Sequence, residues 1–232
     1  MYFVRNEKKY TVAEGHDWFW RQYADGIWEP STFSIFDTFL DPERVFLDIG
    51  AWIGPTTLYA APKAKQVYSF EPDAIAYRSL VQNLEFNKVK NVVPYPVAVS
   101  DSWKGIDFGT KTAQGDSMSS VLWAKGDNQV PAVPLEALIL DLMPNFIKID
   151  IEGGEKTIFD RAILAMQELK PTIHLSLHTP WFLDDVEGYK KSIMEGLEPY
   201  PYFYNENLKP IKLEEAFNTQ AFTSVVATFK KL

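Results

Sequence analysis

The chain contains no cysteine. That absence excludes a disulfide framework, a thiolate zinc site and a cysteine nucleophile together. Basic residues are scarce relative to acids: 23 Lys and Arg stand against 31 Asp and Glu, a formal charge of −8. Nucleic-acid binding draws most of its affinity from cations that neutralise phosphates, so no nucleic-acid partner is expected. Long apolar runs are missing too. No window approaches the roughly 18 uninterrupted apolar residues of a membrane span, and the opening "MYFVRNEKKY" lacks the apolar core of a signal peptide. These features predict a soluble, cytoplasmic protein without a membrane partner. Internal repeats, low-complexity tracts and Gly/Ser linkers are also lacking. The 232 residues, 46% of them apolar, therefore read as one domain with a sizeable core.

What is present alternates between short strand-like runs and longer helical patterns, which predicts a mostly parallel α/β sheet with helices on both faces. Strands are expected at Val45 to Asp48, Gln66 to Glu71, Val92 to Val99, Phe146 to Ile151 and Thr172 to His178. Helices are expected over Pro55 to Ala61, Asp73 to Asn87 and Glu155 to Leu169. In the last, Ile158, Phe159, Ala162, Ile163, Met166 and Leu169 recur at spacings of three and four, the mark of one buried stripe. Residues 1–40 form an aromatic, helical extension, and 45–232 the core. Within the core, 102–133 is rich in Gly, Asp, Ser and Lys and reads as an insertion suited to a lid or substrate loop. "PYPYFYNENLKPI" and "AFTSVVATFKK" read as a terminal antiparallel hairpin.

Ligands of doubly wound sheets bind beyond the carboxyl ends of the strands, where glycine lets backbone approach closely. "VFLDIGAWIGPTTLYAA", Val45 to Ala61, supplies such a turn, with Trp52 between Gly50 and Gly54. The dinucleotide pattern G-x-G-x-x-G is absent, and an acid, Asp48, comes before the glycines. An acid ending the first strand, two glycines four apart and a second acid, Glu71, closing the next strand suit S-adenosylmethionine. Glu71 can accept hydrogen bonds from ribose hydroxyls. The glycines admit the amino-acid end of the donor, and Asp48 orients the loop or meets the donor's amine through water.

In "FIKIDIEGGE", alternation puts Ile147, Ile149 and Ile151 on one face and Lys148, Asp150 and Glu152 on the other. Charge in a central strand needs partners. Asp150 and Glu152 fall where substrate would lie and are candidates for general base, hydroxyl ligand or contact to the donor's cationic end; ion pairing by Lys148 is the structural alternative. In "IHLSLH", His174, Ser176 and His178 share a face, and His178 at the strand end is a further candidate base. No clear set of oxygen ligands marks a metal site.

Several separated segments resemble the FkbM-type family of S-adenosylmethionine-dependent methyltransferases: "GIWEPSTFSIFDTFL", "VFLDIGAWIGPTTLYAA", "VYSFEPD", "NVVPYPVAVSD", "GDSMSSVL" and "FIKIDIEGGE", covering Gly26 to about His178. The resemblance implies a Rossmann-like class I methyltransferase acting on a hydroxyl oxygen of a sugar, glycan or secondary metabolite. It assigns Asp48, Gly50 and Gly54 to the donor loop, Glu71 to the ribose, and Val99 to Asp101 to the adenine edge. It turns Asp150 and Glu152 to the transfer site and brings Glu29 of "WEP" back to the donor pocket. The chain departs from the family twice, with Trp52 where Asn is common and without the acid often found in the "IHLSLH" strand. Trp52 can pack over the donor or under the following helix. The alternative is a non-catalytic nucleotide- or glycan-binding module on a degenerate methyltransferase fold. The acceptor, a small molecule or glycan, is not specified by any motif, nor is the oligomeric state.

Overall fold

The computed structural model describes residues 1–5, 8–111, 114–125 and 128–232. A hairpin of Tyr2–Arg5 (β1) and Lys8–Thr11 (β2) leads through helices Asp17–Ala24 (α1) and Pro30–Phe39 (α2) into Val45–Ile49 (β3). Helix Pro55–Ala60 (α3), strand Gln66–Phe70 (β4), helix Ala74–Phe86 (α4) and strand Val92–Tyr95 (β5) follow. Short strands then occupy Ala98–Ser100 (β6), Ile106–Asp107 (β7), Gly109–Thr110 (β8), Ser119–Ser120 (β9), Gln129–Val130 (β10) and Ala132–Pro134 (β11). The remaining elements are Leu135–Leu142 (α5), Phe146–Ile149 (β12), Glu155–Ile158 (α6), Ile163–Leu169 (α7) and Thr172–Leu177 (β13). Val186–Gly196 (α8), Tyr202–Asn205 (β14), Pro210–Ile211 (β15) and Thr223–Thr228 (β16) complete the chain.

The main sheet has eight strands in the order β15-β14-β16-β13-β12-β3-β4-β5. From β13 to β5 every pairing is parallel, and β16, β14 and β15 extend the β13 edge in antiparallel register. This is the Rossmann-like arrangement expected, with the terminal hairpin on its edge. Alternation along the strands divides the core into two layers. Leu47, Ile49, Ile147, Ile149, Ile173 and Leu175 pack toward Leu135, Met166 and Ile193 of α5, α7 and α8. Phe46, Phe146 and Val226 pack on the other face toward Phe36, Leu58 and Leu80 of α2, α3 and α4.

Three elements differ from the sequence expectation. The strand expected over Val92 to Val99 is broken: β5 ends before Pro96, and β6 leaves the main sheet to pair in parallel with β11. Pro94 and Pro96 lack the N–H a continuous central ladder needs, and Pro94 is tolerated because β5 is an edge strand. The helix expected over Glu155 to Leu169 is two helices, α6 and α7, separated by turns. Its stripe survives the break, since Ile158, Phe159, Ala162 and Met166 are all buried. The aromatic extension begins with a hairpin and is built into the second core layer through Phe19, Trp20 and Tyr23, each at most 2% exposed. Asn83 of α4 ties it down, accepting from the Ala13 N–H at 2.7 Å and donating to the Ile53 carbonyl at 2.7 Å.

Candidate active site

Parallel register sets Ser69, Asp48, Lys148 and His174 side by side on neighbouring strands, forming a polar row across one face of the sheet. The Lys148 ammonium, 3% exposed, lies 3.6 Å from Asp48 and 3.4 Å from Asp150, and donates to the Gly50 carbonyl at 3.0 Å. Burial alone would favour the neutral amine, but Asp150, Asp48 and Glu29 outweigh it and hold the Lys148 pKa above its ordinary value. Asp48 accepts from the hydroxyls of Thr56 at 2.8 Å and Thr57 at 2.6 Å. It therefore braces the loop after β3 from beneath and is not among the residues lining the cavity. Neither ring nitrogen of His174 is hydrogen-bonded among the described residues, and burial together with Lys148 lowers its pKa to about 4.

Gly50 requires its residue type. Its φ is +79°, and a Cβ there would stand 1.8 Å from the Asp150 carbonyl oxygen. The ends of β3 and β12 are pressed together at this point, so the loop turns away from the sheet and opens a cavity of about 490 Å³. Gly54, at φ +89°, starts α3 where a Cβ would meet Leu80 at 2.6 Å. It does not line the cavity.

Glu71, 6% exposed, lines that cavity. One of its oxygens accepts the Trp52 N–H at 2.8 Å and the other the Asp73 N–H at 2.7 Å. Burial pushes its pKa up to about 7 against the pull of those two N–H groups. Val99 and Asp101 line the cavity between β6 and the insertion, together with Phe70 and Phe108. Glu29 also lines it from the start of α2, where it sits at φ 40° and accepts from the Thr32 hydroxyl at 3.0 Å. Burial and then Asp150 raise the Glu29 pKa to about 7.

Trp52 is held at φ 49°, with its ring edge-on to Phe19 at 4.6 Å and to His16 at 5.3 Å. Its indole N–H donates to the Gly115 carbonyl at 2.9 Å. Asp73 caps α4 through the N–H groups of Ile75 and Ala76 and also accepts the Gly115 N–H at 2.9 Å. Both hydrogen-bonding groups of the Gly115 backbone are thus gripped, and the insertion is tethered beside the cavity.

Across β3 from Glu71, Asp150 and Glu152 line the cavity, and His178, which does not, lies within 3.5 Å of both. The strand stops at Ile149, and Glu152 reaches the site from a turn at φ 52° instead of by strand alternation. His178 Nε2 lies 3.5 Å from Asp150 and 3.4 Å from Glu152, while its Nδ1 is 2.9 Å from the fully buried Glu155. Burial would lower the His178 pKa, but Glu155, then Asp150 and Glu152, raise it to about 9. Burial raises Glu152 to about 7, opposed by His178, and the Trp181 indole donates to its carboxylate at 3.1 Å. Asp150 is driven the other way: burial would raise its pKa, but Lys148 and His178 hold it below the ordinary value.

A protein-family model described as the methyltransferase FkbM domain matches residues 48–188, 61% of the chain. The chain belongs to the FkbM methyltransferase family. S-adenosylmethionine, the donor expected from the sequence, is the cofactor that methyltransferase membership implies. No curated protein is significantly similar in sequence. A solved structure of methyltransferase FkbM from Methylobacillus flagellatus KT shares the fold with a TM-score of 0.55 and 16% identity, over 89% of this chain. This chain covers 60% of that protein's length. A precorrin-6y C5,15-methyltransferase from Geobacter metallireducens GS-15 aligns over 97% of both chains at 15% identity and a TM-score of 0.48. A Streptococcus mutans methyltransferase structure in complex with SAH aligns over 85% of this chain and 95% of its own, at 13% identity and a TM-score of 0.47.

The residues present fit the cofactor. Each Glu71 oxygen holds one backbone N–H and keeps capacity for a further donor, as a ribose diol needs. Gly50 leaves the loop without a side chain at its closest approach to β12. Asp73 and Glu155 were not singled out in the sequence, and the bond from Lys148 to the Gly50 carbonyl was not foreseen. Asp73 carried a readable signal, an acid immediately ahead of a helical pattern. Glu155 did not, because its partner is 23 residues away.

Proposed function

We propose that this FkbM-family chain transfers a methyl group from S-adenosylmethionine to a hydroxyl oxygen of a sugar, glycan or secondary metabolite. The observation that carries the reading is one cavity lined by Glu71, which follows β4, and by Asp150 and Glu152, which follow β12 on the other side of β3. S-adenosylmethionine supplies an electrophilic methyl carbon. The chain holds the ribose through Glu71, fixes the loop at Gly50 through Lys148, and sets the adenine edge against Val99 to Asp101. Asp150 and Glu152 orient the acceptor hydroxyl and take up its proton, backed by His178; a base so placed typically contributes 10²–10⁴-fold. Trp18 and Trp28 of the extension also line the cavity, and such amphipathic rings suit the faces of a sugar. The acidic net charge favours a small or glycan acceptor over a nucleic acid.

Calorimetric titration with S-adenosylmethionine and S-adenosylhomocysteine, followed by assay of demethylated donor release with a panel of hydroxyl acceptors, tests this reading. Asp150→Asn and Glu152→Gln are expected to lower turnover at least tenfold while donor affinity stays within about twofold. A folded sample that binds neither compound refutes it.

A further inference from the structure

The Asp150, Glu152 and His178 cluster contains more than two carboxylates. We propose that Asp150, Glu152 and His178 form a binding site for a divalent transition-metal ion, with Glu155 setting His178 in its ligating orientation. One oxygen from each acid and one imidazole nitrogen all lie within 4.8 Å of one another. Ligand atoms bonded at about 2.1 Å and at right angles around one ion stand about 3 Å apart. The observed 3.5 and 3.4 Å separations from Nε2 therefore need to close by only a few tenths of an ångström.

The second observation is the state of the imidazole. His178 is 3% exposed, and its Nδ1 is committed at 2.9 Å to Glu155, which has no exposed surface. The Nδ1–H donates to that carboxylate, and Nε2 faces the two acids at 3.5 and 3.4 Å, so that a bound ion takes the place of the Nε2 proton. A carboxylate that fixes the tautomer and orientation of a histidine is the usual outer support of a metal-binding imidazole. Glu155 is itself anchored by the Ile151 N–H at 3.1 Å, and Glu152 by the Trp181 indole at 3.1 Å. The ligand set is preorganised before any ion arrives.

Five acids, Glu29, Asp48, Asp150, Glu152 and Glu155, converge on this end of the sheet against two cations, Lys148 and His178. A divalent ion at the focus of Asp150 and Glu152 takes the place of the His178 Nε2 proton and satisfies both carboxylates. Two oxygens and one imidazole nitrogen suit Mn²⁺ or Zn²⁺ better than Ca²⁺, which prefers an all-oxygen shell. Because Asp150 and Glu152 line the cavity, an ion between them would meet an acceptor hydroxyl there and favour loss of its proton. That last role rests on the methyl-transfer reading, whereas ion binding does not.

The test uses the full chain, stripped with a chelator and dialysed, then titrated with Mn²⁺ and followed by electron paramagnetic resonance and calorimetry. One Mn²⁺ per chain is expected to bind, with pulsed-resonance coupling to a nitrogen nucleus. His178→Gln should abolish the coupling, and Glu152→Gln and Glu155→Gln should each weaken binding 10- to 100-fold. Asp184→Asn, an exposed acid outside the cluster, should leave binding unchanged. Absence of saturable binding up to about 1 mM, or saturable binding without nitrogen coupling in the unaltered chain, overturns the inference whether or not the variants fold. The same samples are titrated with S-adenosylmethionine to separate the two readings. Donor binding without Mn²⁺ binding rejects the metal site alone; Mn²⁺ binding without donor binding rejects methyl transfer and retains the site.

Discussion

Lys148→Met removes the cation shared by the two halves of the site while keeping an unbranched chain of similar length. Asp48, with no exposed surface, would keep only the Thr56 and Thr57 hydroxyls, and the Gly50 carbonyl would lose its donor. Stripping one partner from a buried ion pair costs about 3–5 kcal/mol. The lower end applies because Asp150 faces the cavity and can be rehydrated, and the lost hydrogen bond at Gly50 adds about 1 kcal/mol. A total near 4 kcal/mol is a large share of the ~5–15 kcal/mol that holds a domain folded. Urea denaturation should show the midpoint falling by ~1–2 M at a slope of about 2–3 kcal/mol per M. The further substitution Asp48→Asn removes the stranded charge, so the double variant should recover about 1–2 kcal/mol over Lys148→Met alone. A loss below about 1 kcal/mol in the single variant, or strict additivity in the double, would refute the assignment of Lys148 as the counter-ion of the loop after β3.

If Glu71 holds the donor ribose as proposed, donor binding is pH-dependent. Its pKa of about 7 in the folded chain lies above the ordinary 4.5, so the stability it contributes is full below about 4.5 and lost as pH rises through 7. Ribose hydroxyls need the ionised acceptor, so donor affinity should instead rise up to tenfold per pH unit toward 7 and then level off, with Glu71→Gln binding weakly and without that slope by calorimetry. Trp52→Phe keeps the ring contacts with Phe19 and His16 but frees the Gly115 carbonyl, and thermal denaturation should report a loss of about 0.5–1.5 kcal/mol. An unchanged melting temperature would count against the tether. Asp73→Ala should cost about 1–2 kcal/mol as a lost helix cap and speed hydrogen exchange at the Gly115 amide, which Trp52→Phe should leave protected.

Trp52 shows how far the residues could be read in advance. Its place in a glycine-bracketed turn was visible, but whether the indole faces donor or protein was open. The tertiary structure points the N–H at Gly115, 63 residues away, and sets the ring against the aromatic extension, while Trp52 also lines the cavity. The broken strand at Pro94 and Pro96 was legible in principle, since proline withholds a ladder donor. The turn that brings Glu152 back to the site was not, because strand alternation was carried past Ile149 into residues that leave the sheet.

The sequence by itself determined the strand-and-helix alternation, the glycine turn after β3 and the positions of Glu71, Asp150 and Glu152 near strand ends. These are local matters of periodicity, backbone freedom and residue type. Only the tertiary structure decided which charges meet. Asp48 and Lys148 are 100 residues apart and become neighbours because β3 and β12 pair in parallel register. Glu155 reaches His178 because the turn after β12 lies against the end of β13. A parallel sheet brings distant strand ends to one edge, and that edge is where separate acids become a site.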